Sequence, residues 1–149
     1  MVYKDLQKRV EYLIKSDNLE EKKGETRSRD GMFADWVSIK IEMLAGITQR
    51  MRKARDLKSM EVCYSLMEDW AEKALKEIDE YNDIPYELNK SREWLREALN
   101  YFKDGAHSGK LGCEIEYLES IKESNILVDH AMECVEKFRH AYVDYWQNK

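Results

Sequence analysis

Proline occurs once in this chain of 149 residues, at position 85, and glycine occurs only six times. Because proline breaks helices and glycine weakens them, a chain with so little of either permits long uninterrupted helices. The 16 aromatic residues supply large side chains for a core, and a chain of this length is a usual size for one domain. We therefore predict a single all-α domain over residues 1–149.

Apolar residues recur at spacings of three and four in five stretches, a pattern that predicts five amphipathic helices. We expect these helices over residues Val2–Asp17, Met32–Lys58, Ser59–Tyr81, Pro85–Lys103 and Leu111–Gln147. Ser59 is a candidate N-cap, and Pro85 suits the first turn of a helix. Residues 20–31 contain no apolar side chain, so we expect them to form a solvated, mobile loop.

Several signals predict how the helices connect and pack. Pro85 ends the third helix, and Gly105 is predicted to be the left-handed residue that ends the fourth, before a turn through Gly112. Ile39 and Met43 broaden the apolar stripe of the second helix, which predicts contact with more than one neighbour. Short connections favour antiparallel packing. The predicted fold is an elongated antiparallel helical bundle of about five helices with a long C-terminal helix.

The predicted last helix carries the spacing of a coiled-coil seam. The seam consists of Leu118, Ile121, Val128, Met132, Val135 and Tyr142. Asn125 lies in the same seam, where it could fix register against another helix or form a hydrogen bond within the monomer. A helix of about 35 residues spans about 50 Å, more than the second helix of about 27 residues can cover. We therefore expect its remainder to be exposed or covered by another chain.

The net charge of −5 is unevenly divided along the chain. Residues 1–58 contain 14 Lys or Arg against 10 Asp or Glu, whereas residues 59–149 contain 11 against 20. Opposite signs predict complementary faces within one bundle or head-to-tail association between copies.

The expected location is the cytoplasm. The three cysteines, Cys63, Cys113 and Cys134, cannot form a complete set of disulfides. The first residues are charged where a secretory leader would be apolar, and no apolar run is long enough to span a membrane. We expect buried thiols in a reducing compartment and no membrane partner.

Metal and catalytic motifs are weak. His130 and Cys134 are four residues apart and could share a zinc ion, with His107 and Cys113 as further ligands. A half-exposed histidine beside a core cysteine is the simpler interpretation.

Three pairs have the Glu-x-x-Glu spacing by which helical nucleotide pyrophosphohydrolases hold magnesium. They are Glu77 with Glu80, Glu116 with Glu119, and Glu133 with Glu136. No Glu-x-x-Asp follows at a useful distance. We predict no catalytic residue, no metal site and no cofactor.

Two surface features carry the functional prediction. The first is a basic stretch, which Arg27 and Arg29 could approach from the loop; it consists of Arg50, Arg52, Lys53, Arg55 and Lys58. The second is an aromatic cluster at the end of the last helix, which consists of Phe138, Tyr142, Tyr145 and Trp146. Aromatic side chains at helical spacing are most often core, but at the end of an overlong helix we expect some of them to lack an internal partner, and aromatic residues are enriched at interfaces. Cations near a helix C-terminus are also explained by the helix dipole alone.

The leading hypothesis is a non-enzymatic helical interaction or adaptor protein that binds a protein partner or a second copy of itself through these two features. The alternative is nucleic-acid association through Arg50–Lys58, which the overall acidity disfavours. A metal-dependent nucleotide hydrolase is the third possibility.

Overall fold

The computed structural model describes residues 8–10 and 28–149, which form an all-α bundle, as predicted. The helices are α1 (Arg29–Lys53), α2 (Leu57–Ile78), a 3₁₀ turn (Asp79–Tyr81), α3 (Tyr86–Glu114) and α4 (Leu118–Gln147). Residues 8–10 are also helical, and Val10 is buried. The rest of the predicted first helix and most of the predicted loop lie outside the described residues.

Consecutive helices pack against each other, with the α3–α4 pair in the most extensive contact. The core is formed by the inner faces of all four long helices, and α2 contributes the buried side chains expected of it, among them Met67, Trp70 and Ile78. The start of α1 meets the end of α4, where the Phe33 and Tyr142 rings are 6.5 Å apart. None of the helices in the described part of the chain combines the length and apolar character that a membrane crossing requires.

The start of α1 differs from the predicted loop. Ser28 is the N-cap residue, whose hydroxyl accepts a hydrogen bond from the Gly31 amide, and Asp30 lies buried in the first turn. A hydroxyl N-cap followed by an acidic residue is a favourable start for a helix, because the exposed amides and the helix dipole attract negative charge. The prediction that residues 28–31 belong to a solvated loop is wrong for this reason.

The boundary between α1 and α2 also falls earlier than predicted. Helix α1 ends at Lys53, because Ala54 is extended, and α2 begins at Leu57. Its N-cap is Asp56, whose carboxylate accepts a hydrogen bond of 2.7 Å from the Ser59 amide. Ser59 is therefore inside the first turn and not the cap. At the start of α3, Pro85 occupies the N-cap position rather than the first turn.

Gly105 does not end a helix. Helix α3 runs through Gly105, Gly109 and Gly112 to Glu114, 29 residues in all. A Cβ on Gly105 would lie 3.1 Å from the Val128 side chain of α4, and one on Gly109 would overlap the Tyr64 ring of α2. These glycines thus permit close helix packing, and the predicted turn over residues 105–112 is wrong.

The real break comes at Ile115–Tyr117. Glu116 takes the left-handed conformation with φ 52°, and the Tyr117 amide bonds the Gly112 carbonyl over 2.8 Å. Helix α4 therefore has 30 residues against 29 in α3. The predicted mismatch with the second helix, which is α1 here with 25 residues, is smaller than expected, and α3 matches α4 in length. The seam residues Val128, Met132, Val135 and Tyr142 are buried within this chain, whereas Leu118 is exposed.

Candidate interaction surface

The basic stretch lies at one end of the bundle, on the last turns of α1, the connection and the first turn of α2. All five of its cations are exposed. Arg50 and Lys53 line a shallow cavity of about 410 Å³ whose wall includes Cys63. Burial raises the pKa of the Cys63 thiol, although the Arg50 charge opposes this, so the thiol is a poor nucleophile.

Arg29 does not approach the basic stretch. Its guanidinium pairs with Asp83 over 2.9 Å and lies 5.0 Å from the centre of the Tyr81 ring. It is at the opposite end of α1, about 30 Å from Arg50 at 1.5 Å per residue. The expectation for Arg29 is therefore wrong, and Arg27 lies outside the described residues.

The C-terminal aromatic cluster has internal partners. Phe138 and Tyr142 are almost fully buried and Trp146 is 9 % exposed. Their rings pack in series, with centroids 5.1 Å apart for Phe138 and Tyr142 and 6.2 Å apart for Tyr142 and Trp146. The Phe33 ring of α1 packs on Tyr142. Because Phe138, Tyr142 and Trp146 are buried within this chain, the expectation that they lack internal partners is wrong.

The fourth ring of the cluster, Tyr145, joins a polar network at the start of α1. Its hydroxyl donates a 2.9 Å hydrogen bond to the buried Asp30 carboxylate, which Lys149 and Ser28 also contact. Burial opposes ionisation of Asp30, but these hydrogen bonds outweigh it and hold the carboxyl pKa well below its usual range. Burial, reinforced by the Asp30 charge, raises the pKa of Tyr145 to about 12. The network fastens α4 to α1.

A different surface remains uncovered between α1 and α2. Ile39 and Met43 on α1 are 51 % and 43 % exposed, and Val62 on α2 is 45 % exposed. Half-buried Ile47 and Leu66 follow Met43 and Val62 by four residues on the same two helices. Part of this surface is a groove of about 460 Å³ with a predominantly apolar wall between the two helices. We call these five residues the α1–α2 apolar face. Contiguous exposed apolar side chains of this kind mark interaction sites more often than scattered ones do.

Hydrogen bonds and an ion pair connect α1 and α2 on the polar side of the same helix pair. The Glu77 carboxylate on α2 accepts from Lys40 over 2.6 Å and from the Trp36 indole over 3.1 Å. The Trp70 indole donates to the Lys40 carbonyl over 3.1 Å. Burial alone would raise the pKa of Glu77, but the Lys40 and Trp36 contacts outweigh it and lower that pKa. These bonds hold α1 and α2 together.

Gly46 lies in this groove and differs from the glycines of α3. A Cβ added there would meet no atom within 4 Å, whereas Gly105, Gly109 and Gly112 are all in close contact with other helices. Glycine in a helix interior costs roughly 0.5–1 kcal/mol relative to alanine. Nothing in the described chain accounts for that cost at Gly46.

Exposed charges of opposite sign flank Gly46 on α1. Glu42 is exposed four residues before it, whereas Arg50 and Lys53 are exposed in the last turns. Arg50 forms no ion pair with another described residue.

A second cavity, of about 620 Å³, lies between α2, α3 and α4. Its Glu68 carboxylate accepts from Lys110 over 2.7 Å and contacts His107 over 2.9 Å. Burial would raise the pKa of Glu68, but these two partners lower it, so the carboxylate is ionised and already paired. This arrangement ties α2 to α3, and it does not resemble an acid–base pair awaiting a substrate.

The candidate zinc ligands do not converge. Cys134 is buried in the core, whereas His130 is exposed and lies beside Glu133 and the Tyr101 ring. Over residues 8–10 and 28–149, no group of three His, Cys, Asp or Glu side chains is placed to hold a metal ion.

The sequence indicated part of the apolar face but not all of it. Ile39 and Met43 stood out because they widen the apolar stripe of their helix, but the sequence predicted that a second neighbour would contact them, whereas both are exposed in this chain. Gly46, Val62 and Leu66 were missed. The available signal was a glycine inside an apolar helical stripe, which has no role in a helix unless something approaches its backbone closely.

Comparison with known proteins finds no matching family model, no matching curated protein and no matching solved structure.

Proposed function

We propose that this chain is a non-enzymatic helical interaction protein that associates with itself. The observation that carries the proposal is the exposure of Ile39 and Met43 on α1 and of Val62 on α2, the two helices that line an apolar groove. Removing such side chains from water contributes about 25 cal/mol for each Å² of apolar surface buried, which favours association. The charges on either side of Gly46 support a second copy as the partner, because the exposed Glu42 of one α1 is complementary to the exposed Arg50 of another.

Sedimentation equilibrium of the purified chain from 1 to 200 µM tests this proposal. We expect a reversible monomer–dimer equilibrium with a dissociation constant in the micromolar range, because the face is small for a stable interface. Ile39→Glu places a charge on the face and is expected to weaken association at least tenfold. Ile126→Glu is the matched control, since Ile126 is 59 % exposed on α4. A chain that stays monomeric at every concentration would contradict the proposal.

We further propose a reducing, cytoplasmic location. Cys63, Cys113 and Cys134 are all free and buried, which suits a compartment that keeps thiols reduced.

Nucleic-acid association is the second candidate, and the common exposure of the five cations of the basic stretch favours it. Binding of a fluorescent DNA duplex would then weaken steeply between 50 and 200 mM salt, because phosphate contacts release counterions. The variant Arg55→Ala with Lys58→Ala should reduce both the affinity and the salt slope. Affinity independent of salt, or unchanged in this variant, would eliminate the candidate.

A further inference from the structure

We propose that α1 pairs antiparallel with α1 of a second copy, with the two helices crossing at Gly46. This inference rests on the proposed self-association and specifies its geometry. Ile39, Met43, Gly46 and Arg50 follow one another at intervals of three and four residues, so they lie along one side of α1. A partner helix laid along this side would cover both exposed apolar residues.

Gly46 indicates where the helices cross. The distance between packed helices depends on the side chains at their contact, so a position without a side chain permits the closest approach. The space beside Gly46 is empty in this chain, and the groove there is flanked by Met43 and Ile47 from α1 and by Leu66 from α2. A second helix seated in the groove would contact both α1 and α2 of its partner.

The charges on α1 favour an antiparallel α1 from a second copy as the helix that binds in this groove. Glu42 lies four residues before Gly46 and Arg50 lies four residues after it. A two-fold axis at Gly46 therefore places Glu42 of each copy opposite Arg50 of the other, giving two identical pairs. The same axis places Lys53 opposite Ile39, where its aliphatic stem can cover the apolar side chain. Such self-complementarity is what a two-fold interface requires.

Cross-linking tests the crossing point. Only a residue near the axis lies close to its own counterpart, so Gly46→Cys should form a disulfide-linked dimer when oxidised by copper phenanthroline in air. Asn100→Cys, at an exposed position on α3, is the matched control and should remain uncross-linked. Burial raises the pKa of the native thiols Cys63, Cys113 and Cys134, so these should react slowly.

Substitutions at Gly46 separate the effect on the fold from the effect on pairing. Gly46→Ala should raise the thermal midpoint of the dilute monomer by about 2–4 °C, because alanine favours helix and meets no neighbour. The same change should weaken dimerisation several-fold, and Gly46→Leu should weaken it more than tenfold. A stability gain without weaker association would contradict the inference.

A charge exchange tests the register. Glu42→Arg or Arg50→Glu alone should weaken the dimer several-fold, because each puts like charges opposite one another in both pairs. The double variant should recover most of the affinity. If wild type dimerises but Gly46→Leu does too, or Gly46→Cys fails to cross-link, the pairing is wrong and self-association stands. A wild-type chain that is monomeric throughout overturns both, including the case in which a segment of its own chain covers the face.

Discussion

The α3–α4 pair and the α1–α2 pair show two opposite ways of joining helices. Gly105 and Gly112 of α3 bring its backbone close to α4, where an added Cβ would lie 3.1 Å and 2.8 Å from the nearest atoms of α4. The α1–α2 pair is instead held by large side chains with polar ends, such as Trp36, Lys40 and Glu77, and it leaves an apolar groove open. The first pair is thus closed where its two backbones meet, whereas the second leaves apolar side chains exposed.

The largest loss of stability is expected from removing the Lys40–Glu77 ion pair between α1 and α2. Glu77→Ala leaves the Lys40 ammonium, whose side chain is 7 % exposed, without its carboxylate and removes the acceptor of the Trp36 indole. Loss of one partner of a buried ion pair typically costs about 3–5 kcal/mol. Urea denaturation should report this loss, and Glu72→Ala, on the exposed side of the same helix, is the control. A cost below about 1 kcal/mol would show that the pair does not hold α1 to α2.

A smaller loss of stability is expected from adding a methyl group where α3 packs closely on Tyr64 of α2. Gly109→Ala drives a methyl group into the Tyr64 ring, which is fully buried and has no space to move. Overpacking of this kind costs about 1–3 kcal/mol. Gly46→Ala is the matched variant in the open pair and should stabilise by about 0.5–1 kcal/mol. If both substitutions changed the free energy of unfolding in the same direction, the distinction between the α3–α4 and α1–α2 pairs would be contradicted.

The contact between α1 and α4 should weaken in acid. Because the folded pKa of Asp30 is depressed, its ionised form stabilises the fold above the unfolded pKa near 4, and this contribution is lost as pH falls below that value. Asp30→Asn should cost about 1–2 kcal/mol at pH 7. The difference between the variant and wild type should shrink as the pH is lowered from 5 to 2, measured by denaturant titrations. A constant difference would contradict the assigned role of the carboxylate.

The smallest effect is expected at the connection between α3 and α4. Glu116 is in the left-handed conformation that glycine adopts more readily. Glu116→Gly should therefore stabilise by a few tenths of a kcal/mol, up to about 1 kcal/mol, in thermal unfolding. A loss of stability would mean that the Glu116 side chain contributes more than the backbone strain costs.

Helical periodicity predicted the class of fold and most of the core, because burial of one face follows directly from spacing. Val128, Met132 and Val135 are buried as expected. Gly105 misled because a glycine that ends a helix and one that admits a neighbouring helix look alike in sequence, and only packing distinguishes them. Glu116 gave no signal, since a left-handed glutamate is uncommon.

The candidate surface was predicted only in part for a similar reason. Phe138 and Trp146 were expected at a surface because α4 was predicted to extend beyond its neighbours, and that expectation depended on the misplaced helix boundary. Ile39 and Met43 were recognised because their positions on the helix do not depend on where the helix ends. The exposure of Arg50 was predicted from the sequence. Its proposed pairing with Glu42 of a second copy could not be predicted, because it is inferred from the groove beside Gly46, which only the structure shows.

Methyl NMR of the methionines tests the central claim most directly. Met43 lies on the exposed face, whereas Met67 and Met132 are buried in the core and serve as internal references. If α1 pairs with a second copy, the Met43 methyl resonance will shift progressively as the protein is concentrated from 10 to 500 µM, while the resonances of Met67 and Met132 stay in place. A Met43 resonance that does not change over this range would contradict the account.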